Sequence, residues 1–341
     1  MRNRLFLPLL LSTILLAGCG RKVRTDGYRD LPPSTGAVQE IVAVVDSSLF
    51  TENTRAALYQ ALSPLATGLP QKERRAKLYV IPRGGFSRTY RTMRHLVRVE
   101  QADSTGGTNG LNVSRDVYAT PQYVFTITAH DEQDAVAQIG QSGAYIEQAI
   151  RQNAIDALQE RFSRITNTHL KAVSRLGIDI SIPNYYHVAR SEKDFVWLTM
   201  DIARQGVKGS AHILLYRLDP QTAAAAAGDA VALRDTVARR YVQGPAEGSY
   251  MQTEKKAVRV GKEKAMLGQT SATFSCGYWR MEGDYMGGPF INYTIIDPAD
   301  STVYGADGFV YLPSEEKGAY MLELEAILRT FRLAAHEQEQ L

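Results

Sequence analysis

The chain has 341 residues, with 39 basic and 36 acidic side chains and a formal net charge of +3. This near balance lacks the excess of basic residues typical of nucleic-acid-binding proteins, so no nucleic-acid partner is expected. The length allows two domains that each bury a hydrophobic core.

The first 18 residues predict a secretory signal peptide. Two arginines precede an apolar run over residues 5–16, which is too short to span a bilayer as a helix. The run ends in LAGC, residues 16–19, which resembles the lipobox of bacterial lipoproteins. That resemblance implies cleavage before Cys19 and acylation of its thiol, so that the lipid on Cys19 holds the chain on a membrane. The alternative is an ordinary signal peptide that happens to contain a cysteine.

Residues 19–37 predict a lipidated, solvated tether, because they are basic at first and then rich in Pro, Gly and Ser/Thr. The basic residues Arg21, Lys22 and Arg24 suit either anionic lipid head groups or plain solvent. Surface-exposed lipoproteins of the Bacteroidota usually carry acidic residues just after the cysteine, and these positions are not acidic here. We therefore expect an outer-membrane lipid anchor that faces the periplasm of the cell envelope.

Residues 38–172 predict an α/β domain. Apolar strands are expected at residues 41–45, 77–82, 94–101 and 122–129, with a helix after the first strand, capped by Asn53 or Thr54. The Gly- and Asn-rich segment 102–112 predicts a loop. Asp131 is expected to cap a long helix whose apolar stripe runs from Ile139 to Ile165. The pattern leaves the order of the strands open.

Residues 173–335 predict a sheet domain with helices packed on it. Several alternating strands surround a helix that ends before Gly244, and a second helix with an apolar face closes the chain. The whole chain is therefore expected to be α+β, with an N-terminal α/β domain followed by an antiparallel-sheet domain. The architecture of this second domain resembles that of PsbP and Mog, which implies a fold and no activity.

Local motifs for catalysis, metals or cofactors are absent from the sequence. The glycine-containing stretch PRGGF lacks the Lys-Ser/Thr of a phosphate loop, and the six histidines are dispersed. Cys276 accompanies only the acylated Cys19, so no intrachain disulfide is expected, and it is interpreted as a small buried apolar residue. We expect no catalytic residue, no metal and no cofactor.

Four stretches of the sequence carry a family resemblance. They are KDFVWL (193–198), GPAEGSYMQTEK (244–255), WRMEGDYMGGPF (279–290) and LELEAIL (322–328). Together with the lipobox and the length, they resemble the Bacteroidota lipoproteins grouped as domain of unknown function 4837. The second half of the chain carries the specific motifs, and the first half matches mostly by pattern. The resemblance implies a location and a family, and it transfers no mechanism.

Two short motifs in the second domain repeat one pattern. EGSYM (247–251) and EGDYM (282–286) each join a carboxylate to a tyrosine through a glycine, and we expect them to meet in space. Where they meet, we expect a groove lined by Tyr250, Tyr285 and Trp279, with the carboxylates at its edge. Such a groove suits a sugar or an extended peptide. Its candidate binding residues are Glu247, Tyr250, Trp279, Glu282, Asp284 and Tyr285. The competing interpretation is that the tyrosines fill the core and the glycines serve turns, with Gly287-Gly288-Pro289 forming the turn between two strands.

Two classes of function stay open. The first is a non-catalytic protein that binds an envelope protein or a glycan. The second is a glycan or peptidoglycan hydrolase that uses Glu282 and Asp284 with Glu247. On a strand, Glu282 and Asp284 would lie on one face with Cα atoms about 6.6 Å apart, close enough to shift one pKa. Arg280 would share that face and neutralise the acids.

Overall fold

The computed structural model describes residues 31–334, except 67–71, 103–109, 169, 205 and 227. Residues from Pro32 onward belong to one compact unit. The signal peptide and Cys19 lie outside the described residues, so acylation of Cys19 stays a prediction. None of the described helices combines the length and the hydrophobicity that crossing a membrane requires.

The first part of the chain alternates strands and helices, as predicted. In chain order its elements are β1 (Glu40–Val45), α1 (Glu52–Leu62), β2 (Lys77–Pro82), a 3-10 turn (Arg83–Gly85), α2 (Arg88–Arg91), β3 (His95–Gln101), β4 (Gly110–Arg115), β5 (Tyr123–Ala129) and α3 (Glu132–Ser163). The strand order is β2-β1-β3-β5-β4, and only β4 runs antiparallel to its neighbour. This is an α/β sheet with a single antiparallel edge.

Two details of this sheet differ from the prediction. Helix α1 is capped by Thr51, whose hydroxyl accepts from the backbone N–H of Thr54, instead of by Asn53 or Thr54. Strand β4 begins inside the segment predicted as a loop, because its two apolar residues, Leu111 and Val113, are too few to show a clear alternation on this edge strand. The predicted cap of α3 is confirmed, since the side chain of Asp131 accepts from the N–H of Asp134 at 2.9 Å.

Helix α3 contributes to two hydrophobic cores. Its first half, including Ile139 and Ile146, packs with α1 on the first sheet. Its second half, including Leu158 and Phe162, packs with the closing helix on the second sheet. One helix is therefore shared by both cores. The predicted domain division at residues 172 and 173 stays a prediction.

The second part of the chain is dominated by antiparallel strands. In chain order its elements are α4 (Lys171–Ser174), β6 (Ile178–Asp179), β7 (His187–Glu192), β8 (Phe195–Arg204), β9 (Val207–Leu218), α5 (Pro220–Ala225), α6 (Ala230–Tyr241), β10 (Tyr250–Glu254), β11 (Gly261–Leu267), β12 (Thr270–Glu282), β13 (Gly287–Ile296), β14 (Val303–Tyr311), α7 (Gly318–Leu328) and β15 (Arg332–Leu333). The large sheet has the order β10-β12-β13-β14-β9-β8-β7, with β11 also paired to β12. The predicted α+β class is confirmed.

The two faces of the large sheet carry different helices. Side chains alternate along each strand, so that Ile213 and Leu215 of β9 belong to the core with α7, whereas Leu214 and Tyr216 belong to the core with α6. Helix α6 is also held by a buried ion pair, in which the Nε of Arg234 lies 2.6 Å from the Oδ2 of Asp307. Such a pair constrains how the helix sits, because either charge alone would be buried without a partner.

The predicted tether is shorter than residues 19–37. Pro33 forms a parallel β-bridge with Thr120, and Thr35 forms one with Met93. These residues satisfy backbone hydrogen-bonding groups of the first domain, so the last part of the predicted tether belongs to the fold.

Candidate functional site

The two EGxYM motifs lie side by side on adjacent strands. Strand β10 begins at Tyr250, which pairs directly with Glu282 at the end of β12. Ser249 and Gly283 are also neighbours, since a Cβ placed on Gly283 would lie 3.5 Å from the Cβ of Ser249. The predicted meeting of the motifs is therefore present in the fold. We call Glu247, Tyr250, Glu282, Asp284 and Tyr285 the motif surface.

Trp279 does not belong to the motif surface, and this part of the prediction is wrong. Residues of one strand alternate between the faces of a sheet, so Trp279 points away from the face that carries Glu282. It is 1% exposed in the core beneath α6, and its indole N–H donates to the carbonyl of Val310 at 3.3 Å. Trp279 therefore stabilises the sheet, and the predicted three-aromatic groove does not form.

The acidic residues of the motif surface have separate local roles. The carboxylate of Glu282 accepts from the side-chain amide of Gln252 and pairs with Arg280, both at 2.5 Å. Asp284 lies in the turn after Gly283, whose φ of +82° ends the strand, and its carboxylate accepts from the backbone N–H of Tyr285. The predicted placement of Glu282 and Asp284 on one strand face is therefore wrong.

The turn lies four residues earlier than predicted. Residues 283–286 connect the strands, and Gly287, Gly288 and Pro289 already belong to β13. Glycine is needed at position 288 because a Cβ there would lie 1.9 Å from the carbonyl oxygen of Val310. Gly288 thus reflects close packing of β13 on β14 instead of a change in chain direction.

Tyr285 and Glu247 are the accessible members of the motif surface. The ring of Tyr285 is fully exposed, at 107% of the reference area, and Glu247 is also exposed. Tyr250 is half-buried, and the guanidinium carbon of Arg239 lies 4.4 Å from its ring centroid. This geometry offers one aromatic ring and one carboxylate to a ligand, with a second ring stabilised by a cation.

Sequence reasoning missed two contributors to this surface. Gln252 follows Tyr250 by two residues on a strand, so strand alternation alone could have placed it beside Glu282. Arg239 was not accessible to such reasoning, because it comes from the end of α6 and reaches Tyr250 only in the folded chain.

The outer edge of β10 is closed to further strand pairing. The N–H of Met251 donates to the carbonyl of Val242 at 3.0 Å, and the N–H of Thr253 donates to the carboxylate of Asp235 at 2.8 Å. Addition of an extended peptide as a new strand is therefore disfavoured here. Recognition at the motif surface must depend on side chains.

The described residues offer no strong centre for metal or thiol chemistry. In the described ranges, no three His, Cys, Asp or Glu side chains are grouped closely enough to hold a metal ion. Burial raises the pKa of the Cys276 thiol, which keeps it protonated and weakens it as a nucleophile. Cys276 is half-buried, consistent with its interpretation as a packing residue.

Comparison with family models divides the chain at the end of α3. Residues 165–330 match the model described as Domain of unknown function (DUF4837). The second half of the chain belongs to DUF4837. Residues 34–163 match a different model, described as Domain of unknown function (DUF8532). The predicted family is therefore confirmed for the DUF4837 half, which contains the whole motif surface, whereas the first half matches a separate family.

No curated protein matches the sequence. Among solved structures, the chain is similar to LpqN of Mycobacterium tuberculosis, involved in cell envelope biogenesis, with 13% identity over 45% of this chain and 79% of that chain and a TM-score of 0.27. It is also similar to the Ran-binding protein Mog1p of Saccharomyces cerevisiae, with 12% identity over 46% of this chain and 90% of that chain and a TM-score of 0.28. Both likenesses are distant ones, of fold alone.

Proposed function

We propose that this protein is a lipid-anchored component of the cell envelope that faces the periplasm and binds an envelope glycan or protein without catalysing a reaction. The anchor is the acylated Cys19, and the motif surface carries the binding. The proposal rests on one observation, the pairing of Tyr250 with Glu282, which joins two separate motifs into one surface.

The chemistry of the motif surface suits recognition. An exposed tyrosine offers a large contact area at a small cost in conformational entropy. The carboxylate of Glu247 accepts hydrogen bonds from hydroxyl or amide groups. Because the edge of β10 is closed, a sugar ring or the side chains of a protein suit this surface better than an extended peptide strand.

Hydrolysis is the weaker candidate. The carboxylate of Glu282 pairs with Arg280 and accepts from Gln252. The carboxylate of Asp284 accepts from the backbone N–H of Tyr285 within the turn. A glycosidase needs two carboxyl groups held on either side of the scissile bond. The motif surface instead holds Glu282 at the end of a strand, Asp284 in the following turn and Glu247 in a separate loop.

The test is a crosslinking pulldown from intact envelopes with the full-length protein. We expect Tyr285→Ala and Glu247→Ala to lose the captured partner while their thermal unfolding stays within a few degrees of the wild type. Tyr145→Ala is the matched control, because Tyr145 is an exposed tyrosine on α3, outside the motif surface. Equal capture by Tyr285→Ala and wild type would contradict binding at this surface.

The same preparation tests the anchor. Cys19→Ser is expected to remove palmitate labelling and to shift the protein out of the membrane fraction, because the serine hydroxyl cannot take the place of the acylated thiol. Palmitate labelling that persists in Cys19→Ser would overturn the anchoring proposal while leaving the binding proposal intact.

A further inference from the structure

A row of polar and aromatic side chains crosses three strands on the α6 face of the large sheet. Ser210 of β9 pairs directly with Asp201 of β8 on one side and with Tyr311 of β14 on the other. Residues paired in this way lie on one face, with Cβ atoms about 4.5–5.5 Å apart. Tyr311 packs against the core beneath α6, which fixes the face to which the row belongs. We call Asp201, Ser210 and Tyr311 the strand row.

The strand row lies beyond the part of this face that α6 covers. In the covered part, the ring of Tyr241 from α6 stacks on the buried ring of Phe195, with centroids 4.0 Å apart. In the strand row, Asp201 is exposed, and Ser210 and Tyr311 are half-buried. The row therefore offers a carboxylate, a hydroxyl and a ring to a ligand.

A chain of hydrogen bonds ends at Ser210. The indole N–H of Trp197 donates to the Nδ1 of His212 at 3.1 Å, and the Nε2 of His212 lies 2.7 Å from the Oγ of Ser210. An indole nitrogen can only donate, so Nδ1 carries no proton and the proton of the neutral imidazole is on Nε2. Nε2 therefore donates to Ser210, and the hydroxyl proton of Ser210 points away from His212.

This tautomer excludes Ser210 as an activated nucleophile. A general base would have to accept the hydroxyl proton at Nε2, which already carries a proton. The imidazole instead fixes the direction in which Ser210 donates. Among the described side chains, Ser210 has no hydrogen-bonding partner besides His212, and Asp201 has no ion-pair partner. The strand row thus presents one directed donor and one free acceptor.

The chemistry of the strand row favours a neutral sugar over other ligands. The hydroxyl groups of a sugar both accept and donate, so they match Ser210 and Asp201, and its C–H groups suit the negative face of an aromatic ring. An anion would be repelled by Asp201. An apolar ligand would bury Ser210 and Asp201 without partners, which costs about 1–3 kcal/mol for each group.

We propose that the strand row binds a neutral sugar unit of a glycan, with the C–H face of the sugar on Tyr311, one hydroxyl accepting from Ser210 and another donating to Asp201. His212 and Trp197 are positioning residues that direct the hydroxyl of Ser210. This site does not depend on the motif surface, and it holds whether the motif surface binds a glycan or a protein.

The test uses the full chain and three soluble neutral trisaccharides, cellotriose, chitotriose and mannotriose. Sorbitol is the control ligand, because it has hydroxyl groups and no ring. We expect isothermal titration calorimetry to detect binding of at least one trisaccharide and no binding of sorbitol. Ser210→Ala should weaken binding about threefold to tenfold, and Asp201→Ala about tenfold or more, since its hydrogen bond is charged.

Trp197→Phe tests the positioning role. Without the indole N–H, the imidazole proton is free to move to Nδ1, and Ser210 then donates to Nε2 instead of to the sugar. We expect Trp197→Phe to weaken binding about as much as Ser210→Ala, and the double variant to bind no more weakly than Ser210→Ala alone. Additive losses in the double variant would contradict the positioning role of Trp197.

Two further variants serve as controls. Asp179→Ala removes an exposed carboxylate from a different sheet and should bind the sugar like the wild type. Tyr285→Ala should also bind it normally, which separates this site from the motif surface. Unfolding midpoints of all variants show whether a loss of binding reflects a loss of fold. Failure of all three trisaccharides to bind, or unchanged affinity in Ser210→Ala and Asp201→Ala, would overturn the proposal.

Discussion

Two buried histidines connect local packing to the pH dependence of stability. The Nε2 of His95 lies 2.7 Å from the side-chain oxygen of Asn153, and the Nδ1 of His212 accepts from the indole N–H of Trp197 at 3.1 Å. Burial lowers the pKa of each histidine from 6.5 to about 4. Both are therefore neutral residues of the core.

The free energy of unfolding is expected to decrease as the pH falls from about 6.5 to about 4. In this interval the unfolded chain binds protons at the two histidines that the folded chain does not bind, so acid favours unfolding. The stabilisation that comes from each neutral histidine is fully present above the pKa of that histidine in the unfolded chain. It amounts to roughly 1–3 kcal/mol for each residue. Urea unfolding at pH 7 and pH 4.5 measures the difference.

His95→Gln separates this effect from general acid sensitivity. His95→Gln is expected to be less stable than the wild type at pH 7. Between pH 7 and pH 4.5 its free energy of unfolding should fall by less than that of the wild type, because glutamine takes up no proton. His187→Gln is the control, since His187 is exposed. The same loss in His95→Gln and in the wild type over this interval would show that His95 does not carry the effect.

At the scale of single elements, the start of α7 depends on a side chain from the other half of the chain. Lys317, the N-cap residue, makes no capping bond with its own side chain. The carboxylate of Glu73 instead accepts from the backbone N–H groups of Lys317 and Gly318, both at 2.8 Å. Glu73 is buried and negatively charged at a helix N-terminus, where the helix dipole favours an anion.

Glu73→Ala is expected to destabilise the protein by about 1–2 kcal/mol, because two N–H groups lose their acceptor. Glu73→Gln should cost less, since it retains a side-chain oxygen without the charge. Hydrogen exchange at the amides of Lys317 and Gly318 measures the local effect and should accelerate in Glu73→Ala. Glu316→Ala, which removes an exposed carboxylate beside the cap, should leave these amides protected.

Strand β12 connects the motif surface to the core that contains α7. Phe274 and Cys276 pack against the core that contains α7, and Arg280 and Glu282 lie on the same strand face toward the motif surface. The six residue-to-residue steps from Cys276 to Glu282 span about 20 Å of strand. The motif surface therefore lies at the end of a strand face whose middle packs in the core with α7, while Trp279 on the other face packs in the core beneath α6.

At the scale of the whole molecule, α3 decides whether the two halves can fold alone. Its residues Ala154, Ile155, Leu158 and Phe162 are buried in the core that contains α7 and the large sheet. Burial of a Leu, Ile or Phe side chain contributes about 1.5–3 kcal/mol, and a typical domain is stable by only about 5–15 kcal/mol. Loss of this helix segment would remove a large share of the stability of the second core.

We expect a fragment of residues 173–334 not to unfold cooperatively, whereas a fragment of residues 149–334 retains the missing helix turns and does so. Near-UV circular dichroism and thermal unfolding of both fragments test this difference. Cooperative unfolding of the shorter fragment, with the same midpoint as the longer one, would instead support a domain division at residues 172 and 173.

The sequence by itself determined those features that depend on neighbours along the chain. Alternation predicted most strands, an acidic residue followed by a 3.6-residue stripe predicted α3 and its Asp131 cap, and local motifs identified the DUF4837 half. The EGxYM repeat also indicated two segments that meet. In each case the signal lies within a few residues, where backbone geometry alone relates position to direction.

Only the tertiary structure decided which side chains share a surface. Trp279 and Glu282 are three residues apart, yet sheet packing buries one under α6 and leaves the other half-exposed. Position 288 requires glycine because the carbonyl oxygen of Val310, which is far away along the chain, lies where a Cβ would be. Such juxtapositions depend on how elements pack, and no local pattern encodes that packing.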